Sequence, residues 1–345
     1  MDQRKKEILE ATIEQFIETS APVGSKSLAL KPGFQMSPAT IRNELNELEK
    51  EGYLNHLHTS SGRIPTDKGY RFYVDSLIEP PAQTAIEIYK IKKQVATLSC
   101  NIRELLDKIG EILTEVIQYT TIVLTPDIYH DTLKVVHLIL VDIDKILVVL
   151  LSTMGENQEF LFNIQENLSQ EDLNKISSWL TEKLKGKSLL SLTEDPLSEI
   201  VQTLPYAQHI LNQLLLEARR LSQFQRRKRR LLTTGISHML KLPEFQNIEL
   251  TKRVLTFLEE DRLLVTLLQD SLKKNTDAVK IGAEIENENL TDCSIVVSSV
   301  SLDNHPVGAI GVLGPKRMSY AQVIPLVQGI SRMIEAYLNN MEIKS

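Results

Sequence analysis

The stretch Ser37-Pro38-Ala39-Thr40-Ile41-Arg42-Asn43-Glu44-Leu45 decides how this chain reads. Serine is a good N-cap, because its hydroxyl accepts a hydrogen bond from a free amide of the first helical turn. Pro38 suits the first helical position, where no amide donor is needed. Ile41, Leu45 and Leu48 recur at helical spacing and predict a buried stripe. With about 100° of rotation per residue, Ala39, Asn43, Asn46 and Lys50 fall on the opposite face, flanked by Thr40 and Arg42. That face is small and polar, so it can enter a DNA major groove and hydrogen-bond to base edges. A capped amphipathic helix taken alone reads better as an ordinary surface helix, and it is the neighbouring sequence that turns the reading toward DNA.

Before it, Ile8, Leu9, Ile13, Phe16 and Ile17 make the apolar stripe of a first helix. Ser25 can cap a short second helix over Lys26 to Lys31, and Pro32-Gly33 is a turn. After it, Tyr53 to His58 read as extended, Thr59-Ser60-Ser61-Gly62 as a turn, and Arg63-Ile64-Pro65 as a return strand. Three helices and a hairpin describe a winged helix-turn-helix, whose third helix reads bases while the wing lies along the backbone or minor groove. Asn43 is then the candidate for bidentate reading of adenine, and Arg42 for guanine or phosphate. Ser37 and Thr40 suit phosphate contacts through hydroxyls or helix N-terminal amides. Ser25 and Lys26 are expected to clamp backbone. In the wing, Arg63 is the natural cation, with His58, Thr59, Ser60 and Ser61 beside it.

Charge limits the kind of nucleic-acid binder this can be. The 345 residues carry a formal net charge of -6. From Met1 to Asp75 there are ten Lys and Arg against eleven Asp and Glu, a net of -1. A sequence-blind DNA binder needs a broad positive surface, so this balance argues for base reading with a few placed cations. Cys100 and Cys293 form no metal or redox spacing and fit a reducing cytoplasm. No signal peptide is expected. The most apolar region, Leu133 to Met154, is interrupted by Asp142, Asp144 and Lys145, too polar to span a bilayer.

Pro80-Pro81 marks a first boundary. From about Gln83 to Tyr119, apolar residues at Ile88, Ile91, Val95, Leu98, Ile102, Leu105, Ile109, Ile112 and Val116 alternate spacings of three and four. That seam either pairs with its copy in a dimer or lies as one or two helices on a neighbouring sheet, broken near Ser99-Cys100-Asn101. Strands are expected at 120–125, 133–141, 146–152 and 159–164, then helices at 169–184, 205–232 and 250–272. Strands return at 278–281, 294–301 and 307–313, before a final helix over 320–339. This order suggests an α/β domain interrupted by an insertion.

Other motifs have bland readings. Gly308, Gly311 and Gly314 lack the G-x-G turn of a dinucleotide site. His56 and His58 share one side of a strand, with no third ligand nearby. The basic run Arg226, Arg227, Lys228, Arg229 and Arg230 is either a solvated helix face or an accessory contact for DNA or an acidic partner. No catalytic constellation, metal site or cofactor motif stands out, so no enzyme is expected.

Several blocks together resemble the bacterial heat-inducible transcription repressor HrcA family. They are Pro22 to Leu28, Ser37 to Glu44, His58 to Arg71, Leu242-Pro243-Glu244-Phe245, Ile281-Gly282 with Glu284 and Asn287, and Pro306 to Ala321. The resemblance implies an α+β multidomain fold. It would have an N-terminal winged helix-turn-helix at 1–79 and a linker with a long helical segment at 80–119. A discontinuous GAF-like α/β domain would occupy 120–165 and 245–345, interrupted by a mainly helical inserted dimerisation domain at 166–244. It also implies a cytoplasmic homodimer, nucleoid-associated when bound to an inverted-repeat operator in double-stranded DNA upstream of chaperone operons. Activity would depend on the chaperonin, with no membrane association and no cofactor. An effector-gated regulator, whose GAF-like domain binds a small molecule, is the alternative.

Overall fold

The computed structural model describes residues 1–31, 36–56, 62–77, 82–95, 102–125, 132–153, 157–164, 168–188, 209–210, 212–214, 216–217, 220, 231–260, 263–268, 277–302 and 305–343. The chain opens with α1 (Gln3–Thr19), α2 (Ser25–Ala29) and α3 (Pro38–Lys50), followed by the strands β1 (Leu54–His56) and β2 (Arg63–Pro65) and by α4 (Asp67–Ser76). Asp2 caps α1 by accepting from the Lys5 amide at 2.8 Å, and the stripe Ile8, Leu9 and Ile13 is fully buried. β1 and β2 pair antiparallel, with His56 opposite Arg63. Thr66 caps α4 by accepting from the Gly69 amide at 3.1 Å. The second helix departs from expectation. It begins at Ser25 and is capped from Gly24, not by Ser25, because the Leu28 amide and the Ser27 hydroxyl both donate to the Gly24 carbonyl and close the turn one residue earlier.

The helical stretch expected from 83 to 119 is two helices, α5 (Ala82–Val95) and α6 (Ile102–Ile117). Residues 96–101, between them, lie outside the described set. The seam faces inward within one chain. Ile91 and Val95 of α5 are buried against the C-terminal helix, and α6 lies on a sheet. Its buried face is Leu105, Leu106, Ile109, Leu113 and Ile117, with Ile112 and Val116 only partly covered. This stripe recurs near the 3.6 period of a helix packed on a globular core, not the 3.5 period of a coiled-coil seam.

That sheet has five antiparallel strands in the order β7-β3-β10-β9-β8. They are β3 (Thr120–Leu124), β7 (Leu231–Thr234), β8 (Ala278–Ile281), β9 (Cys293–Leu302) and β10 (His305–Pro315). Alternation along the strands sends residues to two cores. Val123, Val296, Ile310 and Val312 meet α5, α6 and the C-terminal helix α9 (Tyr320–Ile343). Ile122, Leu124, Ile295, Val297 and Leu313 meet α8 (Ile248–Glu259) and the helical segment 263–268. Antiparallel order with helices on both faces makes a three-layer unit.

The sheets divide the chain differently from the expected boundaries. Strands β4 (Leu133–Asp142), β5 (Lys145–Ser152) and β6 (Gln158–Asn163) do not join the five-stranded sheet but form a separate one, β4-β5-β6. Residues 231–234, the first two of which were expected to end a helix, are strand β7 paired with β3. The interruption therefore falls between β3 and β7, and it carries a sheet as well as helices. The small sheet stands apart because α7 (Gln170–Leu184) completes it. Leu173, Ile176, Leu180 and Leu184 cover one face. Side chains of α7 also satisfy the outer edge of β4. Ser177 donates to the Val136 carbonyl at 2.6 Å and accepts from the Leu138 amide at 3.1 Å, and Thr181 accepts from the Val136 amide at 2.9 Å. A strand edge so occupied is closed to further pairing. The other face of the sheet is apolar and open, with Ile139, Val141 and Leu161 exposed by 45, 57 and 61%.

Candidate nucleic-acid interface

The helix α3 is built as its sequence predicts. Ser37 sits in extended backbone at the N-cap and its Oγ accepts from the Thr40 amide at 3.1 Å. Ile41, Leu45 and Leu48 are buried against α1, α2 and β1. Their burial fixes which side faces outward. Ala39, Arg42, Asn43 and Lys50 are exposed, while Thr40 and Asn46 are half-buried. The Lys50 ammonium is 2.9 Å from the Glu47 carboxylate, and that hydrogen bond holds the lysine above its ordinary pKa.

A groove of about 320 Å³ opens between α2, α3 and the hairpin. Ser25, Lys26, Arg42, Asn46 and Arg63 all line it, together with His56. The fold thus gathers residues from three separate stretches of sequence into one concave surface. Asn43 stands outside this lining, on the exposed face of α3. His58, Thr59, Ser60 and Ser61 lie outside the described residues, as do Arg226, Arg227, Lys228, Arg229 and Arg230.

Arg63 is placed differently from a free wing cation. Its side chain is 13% exposed, its Nε lies 2.7 Å from Glu49 Oε2, and its Nη2 donates to Asn46 Oδ1 at 2.8 Å. The Nε–Glu49 contact is an ion pair by distance, without hydrogen-bond alignment. Its backbone is bridged to Val23 in both directions, at 2.9 and 2.8 Å. Arg63 therefore braces the hairpin against α3. Glu49 follows Asn46 by three residues and so shares its helix face, which lets one side chain engage both.

A second constellation ties this N-terminal unit to the larger sheet. Asp67 accepts from Lys316 Nζ at 2.9 Å and from the Ala283 amide at 3.1 Å. Arg71 donates to the Val279 carbonyl at 2.6 Å and pairs with both carboxylate oxygens of Glu284. Arg317 pairs with Glu244 and reaches the Ile17 carbonyl at 3.3 Å. Between these charges, the buried rings of Tyr70 and Tyr320 stand 6.0 Å apart. Burial, with the other ring close by, pushes the Tyr70 phenol well above its ordinary pKa. The Tyr320 hydroxyl lies 2.6 Å from Ser294 Oγ and donates to the Lys316 carbonyl at 2.7 Å. Three sequence blocks far apart in the chain (66–71, 281–284 and 315–320) meet here. Sequence reading noticed them without giving them a role.

A capped helix with a polar outer face, set beside a groove lined by cations and amides, is the equipment of a DNA-binding regulator. Comparison with known proteins agrees. The family model described as the HrcA protein C-terminal domain matches residues 103–324. The heat-inducible transcription repressor HrcA of Carboxydothermus hydrogenoformans is 34% identical over 341 residues, covering 99% of each chain. That of Pelotomaculum thermopropionicum is 32% identical over 341 residues, covering 99% of this chain and 98% of its own. A crystal structure of a hypothetical protein at 2.2 Å resolution has the same fold, with a TM-score of 0.68 at 22% identity over 99% of both chains. The chain belongs to the HrcA family of heat-inducible transcription repressors.

No helix among the described residues is long and apolar enough to cross a membrane. Among the same residues, no group of three His, Cys, Asp or Glu could hold a metal ion.

Proposed function

We propose that this repressor of heat-shock genes binds an inverted-repeat operator in double-stranded DNA as a homodimer, with its activity dependent on the chaperonin. In this reading residues 1–77 are a winged helix-turn-helix and α3 is its recognition helix. The five-stranded sheet and its helices are the GAF-like domain. The observation that carries the reading is the outward face of α3, where Arg42 and Asn43 are exposed beside the groove formed with Ser25 and Lys26. Asn43 and Arg42 read base edges, and Ser37, Thr40 and Lys26 position phosphates. The open apolar face of β4-β5-β6 supports dimerisation, because exposed apolar patches of this kind mark protein interfaces. Two-fold protein symmetry then matches the two-fold symmetry of an inverted repeat.

Dependence on the chaperonin fits the topology. β3 must pair with β10, about 190 residues later, before the central sheet exists. Sheets closed by such distant strands fold slowly and expose apolar surface meanwhile. The test is a footprint of the full chain on chaperone-promoter DNA with and without chaperonin. Protection of an inverted repeat that strengthens with chaperonin supports the reading, and protection without sequence preference refutes it.

An effector-gated regulator is favoured by one observation. A cleft of about 800 Å³ lies between the N-terminal unit and the larger sheet, lined by Asp67, Lys68, Glu244, Arg253, Lys316 and Arg317. Operator affinity that shifts with a metabolite, in the absence of chaperonin, would decide for it.

A further inference from the structure

Resting on the reading of α3 as the base-reading helix, we propose that Arg63 is a positioning residue for Asn46. It turns the Asn46 amide so that the side chain offers donors to the DNA. Asn46 then reads the base acceptor guanine O6 or thymine O4, and disfavours adenine and cytosine, which place an amino donor there.

The orientation follows from chemistry. A guanidinium carries five N–H donors and no acceptor. Its Nη2, at 2.8 Å from the Asn46 amide, can face only the amide oxygen. The Asn46 nitrogen is therefore directed to the other side, and among the described residues it makes no hydrogen bond. Asn46 and Arg63 both line the groove between α2, α3 and the hairpin, and a base edge seated there would meet the amide that Arg63 has turned.

Arg63 is held firmly enough to impose this. Glu49 lies 2.7 Å from its Nε, its side chain is 13% exposed, and its backbone is bridged to Val23. Glu49 also offsets its charge, which makes Arg63 a poor partner for phosphate. Reading adenine with an amide requires the oxygen to accept from N6 while the nitrogen donates to N7. Here an adenine or cytosine amino group approaching Oδ1 would meet the donors of Arg63, donor against donor. A base with a carbonyl at that edge position, guanine O6 or thymine O4, meets the Asn46 NH2 without that conflict. Discrimination thus comes from a repulsive element as well as an attractive one.

The experiment uses the full chain and a synthetic duplex carrying the inverted repeat located by footprinting. Each base pair of one half-site is replaced by the other three, and affinity is measured by fluorescence anisotropy for the wild type, Asn46→Ala, Arg63→Gln and Arg63→Lys. In the wild type, one guanine or thymine per half-site should be preferred about tenfold or more, and Asn46→Ala should abolish that preference. Replacing that base by 2-aminopurine, which lacks the guanine O6, or by a thymine analogue lacking O4, should weaken the wild type but not Asn46→Ala. Arg63→Gln frees the amide to rotate and should admit adenine at that position to within about threefold of the preferred base. Arg63→Lys keeps a donor facing Oδ1 and should retain the preference. The salt slope of Arg63→Gln should match that of the wild type, because no phosphate contact is lost.

An adenine or cytosine at the position sensitive to Asn46→Ala overturns the proposal. So does an unchanged preference in Arg63→Gln, or no position responding to Asn46→Ala while Asn43→Ala still alters base preference. Equal wild-type affinity for the operator and a scrambled duplex would instead sink the underlying reading of α3. The base-analogue series needs only the wild type and Asn46→Ala, so it tests the donor contact of Asn46 even where Arg63→Gln is unstable.

Discussion

Asp67 and Lys316 meet at 2.9 Å although 249 residues separate them. Asp67 opens α4, so this pair fixes the helix that leaves the hairpin against the end of β10. The pair itself is a third exposed on each side and contributes little, under about 1 kcal/mol. The tighter constraint is steric. Gly282 has a φ of +53°, and a Cβ there would run into the Asp67 carboxylate. Gly282→Ala is expected to lose about 1–3 kcal/mol of unfolding free energy in urea, from the positive φ and the displaced carboxylate together. Lys316→Met should lose less than half of that. Both should speed hydrogen exchange of the α4 amides. A Gly282→Ala protein as stable as the wild type would show that the close approach is slack.

Arg71 and Glu284 form the second tie across this junction, and the Ile281 amide also donates to Glu284 at 2.9 Å. Side-chain exposures of 31 and 35% place the pair between surface and interior. A double-mutant cycle with Arg71→Met and Glu284→Gln should give a coupling energy of about 0.5–1.5 kcal/mol, at the modest end because of solvent screening. Additive effects in the cycle would mean the two side chains stabilise the junction independently.

Ser37 and Asn43 separate folding from recognition on one helix. Ser37→Ala removes the acceptor of the Thr40 amide and should cost about 1 kcal/mol of stability. Asn43 is exposed, so Asn43→Ala should leave the melting temperature unchanged. On the operator it should cost about 1–3 kcal/mol of binding, with little effect on random DNA. Equal losses on both DNAs would remove Asn43 from base reading.

How much of this was legible in the sequence varied with the range of the interaction. α3 was readable residue by residue, because a cap, a proline at N1 and a period of 3.6 are local signals. The strands β8 and β9 were readable from β-branched runs. Sheet membership was not. The Asp142-Ile143-Asp144-Lys145 turn marks the β4-β5 hairpin locally, but nothing in 133–163 keeps it out of the five-stranded sheet, since the alternation that predicts strands is the same in either sheet. β7 was hidden because Leu231 to Thr234 follows a helical-looking basic run and becomes a strand through pairing with β3. Arg63 was readable as a cation and not as a brace, because its partners Asn46 and Glu49 sit on another element.

The open face of the three-stranded sheet is the weak point of the proposed dimer. Ile139, Leu147 and Leu161 form one cross-strand row on that face, with Ile139 and Leu161 exposed. Ile139→Glu with Leu161→Glu should leave far-UV dichroism intact, since neither side chain is in the core beneath α7. The pair should convert a dimer to a monomer in sedimentation velocity. Operator affinity should fall by about 100-fold or more, because the second half-site is no longer engaged intramolecularly. A variant that remains dimeric would move the interface elsewhere.

Cys293 begins β9 in the core beneath α8 and has no exposed surface. Burial, with Asp292 adding to it and Arg253 and Lys316 opposing, pushes its thiol up to about 12. In a Cys100→Ala background, iodoacetamide at pH 8.5 should leave the native chain unmodified and alkylate one thiol in urea. The linkage has a definite sign. The folded chain keeps this proton while the unfolded thiol releases it near pH 8.5, so folding is disfavoured as pH rises above that value. Relative to Cys293→Ala, stability should fall by about 1.4 kcal/mol per pH unit between roughly 9 and 11. A flat difference across that window would mean that the thiol ionises in place and that this part of the core admits water.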